Sequence, residues 1–411
     1  MKKFASRAAL LAFLLFTATV GRPCTDTQQP PRRAELLFVG DLMAHAPQLA
    51  AARNKEGYDF TPSFQYVKAL ITSADLAVGN FETTLGGKQR GYTGYPCFST
   101  PDPYAEALKD AGFGALTTAN NHCMDRGITG LFRTLEELHR RGFTTFGTYT
   151  ASDDRRVPTA VSVQGIKVVF LSWTYGTNGI AVPTSQDWAV AQSASWDEVN
   201  DDLTRAKALS PDFIVAMPHI GVEYALTPPR HVIAFTEKLL AAGVNAVIAS
   251  HPHVVQPVEL RVASGDTPAL IAWSMGNFIS NQRTRPRDMG AILRMTLLKD
   301  EEGTRIVGAD VIPTWVQTRT KKGARISRVL PLQTALKDAK ALKITAADLK
   351  RLREAHKDFT ERILGEKIPL EEAQLAYPLK ASSQDLFSTS ALDAAEKKAA
   401  KRRAKLLKNK K

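Results

Sequence analysis

The chain has 411 residues, 44% hydrophobic and 23% charged, which excludes wholesale disorder and leaves enough apolar residues for a sizeable core. Its formal net charge of +13 suggests a polyanion binder until the charges are located: nine Lys or Arg against Asp393 and Glu396 crowd the last 21 residues, and Lys2, Lys3 and Arg7 open the chain. The body between these ends is nearly balanced, so no nucleic-acid partner is expected.

Residues 1–21 read as a signal peptide or anchor, because three basic residues precede an apolar run, 8–20, too short to span a bilayer comfortably. An exported protein of the periplasm, cell envelope or extracellular space follows from that reading. Residues 22–34 form a Pro- and Gln-containing linker in which Cys24 lacks the small residues a lipidation signal places directly before it. Cys97 and Cys123 are candidates to pair in an oxidising compartment, and equally to remain two free thiols.

Short apolar runs then recur at 35–40, 76–78, 115–118, 213–217 and 247–249, each stopping at a polar cluster. Helical patterns lie between them at 103–111, 129–141, 195–208 and 230–242, and Ser195 followed by Glu198 is a capping-box signature. Strands alternating with helices predict an α/β fold, with functional groups at the carboxyl ends of the strands. Runs at 268–275, 290–298 and 304–313 predict antiparallel strands toward the end of a main domain, 35–315. A helical pattern at 342–364 predicts a mostly helical extension, 316–380, before a basic Lys/Ala-rich tail, 381–411.

The strand ends carry Asp41 with His45 behind it, Asn80 and Glu82, Asn121 and His122, His219, and His251 with His253. Mixed nitrogen and oxygen ligands from several strand ends suit one or two divalent transition metal ions, Mn, Fe or Zn rather than Ca. Each residue also has an ordinary structural reading. Asp41 fits a cap, Glu82 a solvated loop carboxylate, Asp125 the N-cap of the helix near Thr129. His251-Pro252-His253 is the sharpest local signal, since alternate residues of an extended segment face the same way. Residues 274–278 read as a tight turn or as a place where Asn277 approaches a ligand. His139, His231 and His356 lie within helical patterns and read as structural.

Six ordered motifs carry a resemblance: Gly40-Asp41-Leu42-Met43; Gly79-Asn80-Phe81-Glu82; Asn120-Asn121-His122 with Asp125 and Gly127; His219 with Gly221, Glu223 and Tyr224; His251-Pro252-His253-Val254 with Gln256; and Ser274-Met275-Gly276-Asn277-Phe278. Together, across residues 35–280, they resemble the CapA family of bacterial capsule and poly-γ-glutamate synthesis. The resemblance implies a calcineurin-like metallophosphatase fold, a β-sandwich flanked by α-helices. Carried over, Asp41, Glu82, Asn121, His219, His251 and His253 match metal-ligand positions, and His122 matches the acid or phosphate-contacting histidine. Asp125 is a catalytic candidate beside it, and Asn80, Glu223 and Asn277 are candidates for substrate binding.

Several departures accompany the match. Met43 stands where a metallophosphatase places a histidine, which leaves the second metal dependent on a substitute such as His45. Glu82 replaces a bridging aspartate, and Ile220 and Ser250 stand where the family often has Trp and His. The function implied is a metal-dependent hydrolase of capsule or poly-γ-glutamate-type polymers, acting on a phosphoester or amide-type bond through a metal-activated hydroxide. The alternative is a non-catalytic metal-binding assembly or polymer-binding factor. Its partners would be an anionic exopolymer or precursor, the capsule synthesis machinery, and a membrane surface met by the basic tail.

Overall fold

A computed structural model describes residues 30–262, 268–321 and 324–382; the segment expected to be a signal or anchor, residues 22–29 of the expected linker and the tail from 383 lie outside these described residues, while the linker's expected last residues, 32–34, already belong to the first strand. The chain first lays down β1 (Arg32–Leu42), β2 (Leu76–Asn80), β3 (Phe113–Thr117) and β4 (Thr144–Phe146), all parallel neighbours in one sheet. It then builds a second sheet from β5 (Thr159–Val163), β6 (Ile166–Leu171), β7 (Phe213–Ala216), β8 (Ala246–Ile248), β9 (Val258–Val262) and β10 (Pro268–Ala272). The chain returns to the first sheet with β11 (Asn277–Ile279), β12 (Met289–Asp300), β13 (Gly303–Lys321), β14 (Ala324–Pro331) and β15 (Tyr377–Pro378). A short β16 (Ala381–Ser382) closes on β9.

Strand alternation sets the layers. Leu36 and Phe38 of β1 share one buried cluster with Val168 and Phe170 of β6 and Phe213 and Val215 of β7, so the sheets pack face to face. The alternate residues Leu37 and Val39 point the other way, onto Phe64, Ile71, Tyr104 and Leu108 of the helical segments that cover the first sheet. Val169, Leu171, Ile214 and Ala216 likewise meet Val199, Leu203 and Leu239 of the helices Trp196–Ala208 and Arg230–Ala241. The result is the helix–sheet–sheet–helix sandwich that the resemblance implied.

The predicted helices are present within two residues of their expected ends, and Ser195 caps its helix by accepting the Glu198 N–H. The β5–β6 hairpin went unread in the sequence. It turns on Gln164 and Gly165, both at positive φ, between an alternating run and an apolar one. The boundary at 315 also fails as a structural division. β13 runs straight through it, and β14 and β15 pair into the first sheet, because their apolar residues Trp315, Leu330 and Tyr377 complete the core between the sheets. The expected helix of the extension is Ala346–Asp358, continued by one wider turn to Ile363. Among the described residues no helix is long and apolar enough to cross a membrane.

Candidate metal centre

Strand register brings the first ligands together. Asp41 pairs with Asn80 on one side and Asn277 on the other, at the carboxyl end of the parallel strands. The approach is so close that a Cβ on Gly40 would lie 2.0 Å from the Gly276 carbonyl oxygen, so only glycine fits there. The Asp41 N–H donates to that same oxygen at 3.0 Å, which fixes where its carboxylate points.

Asn80 Nδ2 donates to Asp41 Oδ1 at 2.8 Å and lies 3.1 Å from His219 Nδ1. His219 Nε2 lies 3.0 Å from Asn121 Oδ1, and His253 Nδ1 donates to Asp41 Oδ2 at 2.9 Å. Glu82 sits among these groups, fully buried, with one carboxylate oxygen 3.7 Å from His219 Nε2 and from His253 Nε2. Among the described residues no hydrogen-bond donor reaches either of its oxygens. Asp41, Glu82 and His253 offer ligand atoms within 4.8 Å of one another.

The electrostatics follow from this burial. Burial and the facing Asp41 carboxylate hold Glu82 well above the usual carboxylate range, so without a cation it holds its proton to higher pH than an ordinary carboxyl. Burial pushes Asp41 up as well, but His253 and the Asn80 amide outweigh it and hold that carboxyl below its ordinary value. Burial and the neighbouring imidazoles push His219 well down and His251 down to about 4. These two rings are therefore neutral near neutral pH, the state in which an imidazole binds metal. Two buried oxygens without donors, an unpartnered His251 Nδ1 and a carboxylate–carboxamide–imidazole donor set fit a divalent transition metal.

The histidine pair reaches this site by a different backbone from the one expected. His251 and His253 are not in an extended segment; they lie in a turn after β8, both at positive φ, 108° and 59°. Non-glycine residues are strained there, and the surrounding packing holds them. The His251 ring lies 4.9 Å from the His219 ring, tilted against it by 57°, and Tyr175 covers it from 4.5 Å.

His122 stands beside this group with its own partner. Its Nδ1 is 2.8 Å from Asp125 Oδ2, an oxygen that also accepts the Phe98 N–H at 2.6 Å. Asp125 is thus no helix cap: the helix Gly127–Arg140 starts after Arg126, and the carboxylate is occupied by the imidazole.

The remaining candidates are placed as follows. Asn80 is fully buried behind Asp41 and His219. Asn277 donates to the backbone carbonyls of His253 (3.2 Å) and Arg287 (2.9 Å), so its amide steadies the histidine turn. Glu223 is exposed on the loop beside Tyr224. His45 does not join the carboxylates; its Nδ1 accepts the Asn281 N–H at 3.3 Å and its ring abuts Phe98. Cys97 and Cys123 are free thiols.

Two residues near the centre were not read from the sequence: Tyr175, and Asn178, whose Oδ1 accepts Asn121 Nδ2 at 3.2 Å. Both follow β6, an apolar run ending in a polar cluster like the other strands, and that pattern was the available signal.

Residues 35–282 match the family described as bacterial capsule synthesis protein PGA_cap. The chain is 29% identical over 271 residues to the PGA biosynthesis protein CapA of Bacillus subtilis (strain 168), covering 65% of this chain and 68% of that one. It is 27% identical over 329 residues to the capsule biosynthesis protein CapA of Bacillus anthracis, covering 76% of each. Among solved structures it is similar to the calcineurin-like phosphoesterase YfkN from Bacillus subtilis, with a TM-score of 0.41 and 15% identity over 79% of this chain and 100% of that one. As the family match runs through more than half of its length, the chain belongs to the bacterial capsule synthesis family PGA_cap.

Proposed function

We propose that this protein is an exported metal-dependent hydrolase of capsule or poly-γ-glutamate-type polymer biosynthesis, cleaving a phosphoester or amide-type bond in an anionic polymer or its precursor. The observation that carries the reading is Glu82, a fully buried carboxylate that the protein leaves without a donor between two imidazoles. Asp41, Glu82, Asn121, His219, His251 and His253 would hold one or two Mn, Fe or Zn ions. Such ions supply Lewis acidity and lower the pKa of water.

The chain's own groups do the rest. An ionised Asp125 only accepts, so His122 keeps its Nδ1 proton and donates it in a hydrogen bond to that carboxylate, and any second proton sits on Nε2, placed for donation to a leaving group. Asp125 also stabilises the imidazolium. This oriented acid favours catalysis over a purely binding role, since holding a polymer needs no proton donor. Export is read from residues 1–21, and the basic tail is read as meeting an anionic surface.

The test is elemental analysis of the full chain, purified without chelator, beside Asp41→Ala and His251→Ala. Turnover of bis(p-nitrophenyl) phosphate and of γ-linked polyglutamate is followed on the same samples. About one to two equivalents of a transition metal, lost in both variants together with turnover, are expected. A chain that takes up no metal after reconstitution sinks the reading.

A further inference from the structure

The loop between β11 and β12 carries three arginines, Arg283, Arg285 and Arg287, in a body whose charge is otherwise close to balanced. Arg285 is committed to acids, bonding Asp358 and lying 3.7 Å from Asp288. Arg287 is not: among the described residues no carboxylate lies within ion-pair distance of it.

Arg287 is nevertheless held in place from both ends. Its carbonyl accepts Asn277 Nδ2 at 2.9 Å, and the same amide donates to the His253 carbonyl at 3.2 Å. Its guanidinium carbon lies 4.4 Å from the centre of the Tyr224 ring. That ring is 6.1 Å from the His253 ring, and the Tyr224 N–H donates to the Pro252 carbonyl, between the two histidines, at 2.8 Å. Tyr224 is 43% exposed and sits at a φ of 66°, a strained value for a tyrosine. The histidine turn therefore fixes an unneutralised cation at the rim of the metal centre.

A guanidinium lying over an aromatic face keeps its in-plane N–H groups for an oxyanion, which it binds as a fork. We propose that Arg287 is an anion-binding residue of the cleft, gripping a carboxylate or phosphate of the substrate beside the bond that is cut. The proposal rests on the hydrolase reading of this site and names the substrate feature it selects.

The experiment titrates the full chain with inorganic phosphate and, separately, with glutarate, with and without added Mn2+. Arg287→Ala, Arg287→Lys and Arg283→Ala are run alongside, with melting temperature and metal content measured on each. Arg287→Ala is expected to weaken the preferred anion roughly tenfold or more, with Arg287→Lys intermediate and Arg283→Ala within about twofold of the parent. The anion showing the larger loss identifies the group recognised, carboxylate or phosphate.

Equal affinities in parent and Arg287→Ala overturn the proposal, as does equal weakening by Arg283→Ala, which would show only general charge attraction. The variant-to-parent ratio is read whether or not metal is bound. A metal-free protein thus sinks the hydrolase reading alone, and a ratio near unity sinks this one alone.

Discussion

Two buried glutamates of this protein live in opposite circumstances. Glu259, on β9, is 7% exposed; it accepts from Arg261 Nη2 at 3.2 Å and from the Trp273 indole N–H, and Arg261 reaches on to Glu237 at 2.7 Å. Glu82 is fully buried, faces the Asp41 carboxylate, and lies 3.7 Å from the imidazoles of His219 and His253 with no hydrogen-bond donor among the described residues. A buried charge that folding has supplied with partners belongs to the scaffold. One left without them, at the carboxyl ends of parallel strands, is where, under the proposed function, a cation from outside would complete the structure. Asp125 stands between the two: one oxygen is fully engaged and the other has no partner among the described residues.

The largest effect should come from that intermediate case. Asp125→Asn removes the acceptor that orients His122, so kcat on a phosphodiester should fall about 10²–10⁴-fold while metal content stays unchanged. An unaltered kcat would remove His122 from the chemistry. Next, Glu259→Gln leaves Arg261 short of a buried charge partner and should cost about 3 kcal/mol of unfolding free energy in denaturant titrations, with metal content unaffected.

Glu82→Gln should do the reverse. Metal uptake is lost, and the metal-free protein becomes more stable at alkaline pH. The sign follows from the raised folded pKa: the stability of the protonated Glu82 is complete below its unfolded value, about 4.3, and is lost as pH rises through the folded value. Glutamine carries no such loss, so the melting temperatures of parent and variant should diverge as pH rises. His251 works in the other direction. With its folded value near 4, the stability it preserves above about 6.5 is lost as pH falls toward 4. The smallest effect expected is from Ser195→Ala, which removes a cap at the edge of the second sheet's helical layer and costs about 1 kcal/mol, with anion and metal binding unchanged.

Much of the site was legible because the strands announce themselves. The apolar runs before Asp41, Asn80, Asn120, His219 and His251 are buried on both faces, which makes them continuous rather than alternating, and each ends where the sheet ends. The hairpin at 159–171 was missed although its turn residues were visible, and with it went the loop that supplies Tyr175 and Asn178. β14 and β15 were hidden for another reason: their place depends on sheet partners distant in sequence, and nothing local in 324–331 or 377–378 names those partners.

The apolar strands that stop at polar clusters, the helices between them, the residues at those strand ends and the family they resemble were determined by the sequence alone. These are local properties, written in hydrophobic period and in motif spacing. Tertiary structure decided which of those residues meet without neutralising one another. That His251 and His253 enter through a strained turn, that Asp125 serves His122 rather than a helix, and that among the described residues Glu82 has no donor while Arg287 has no acid are facts about distances between segments far apart in the chain. No local pattern encodes them, because burial and pairing are fixed only when both sheets close on one core.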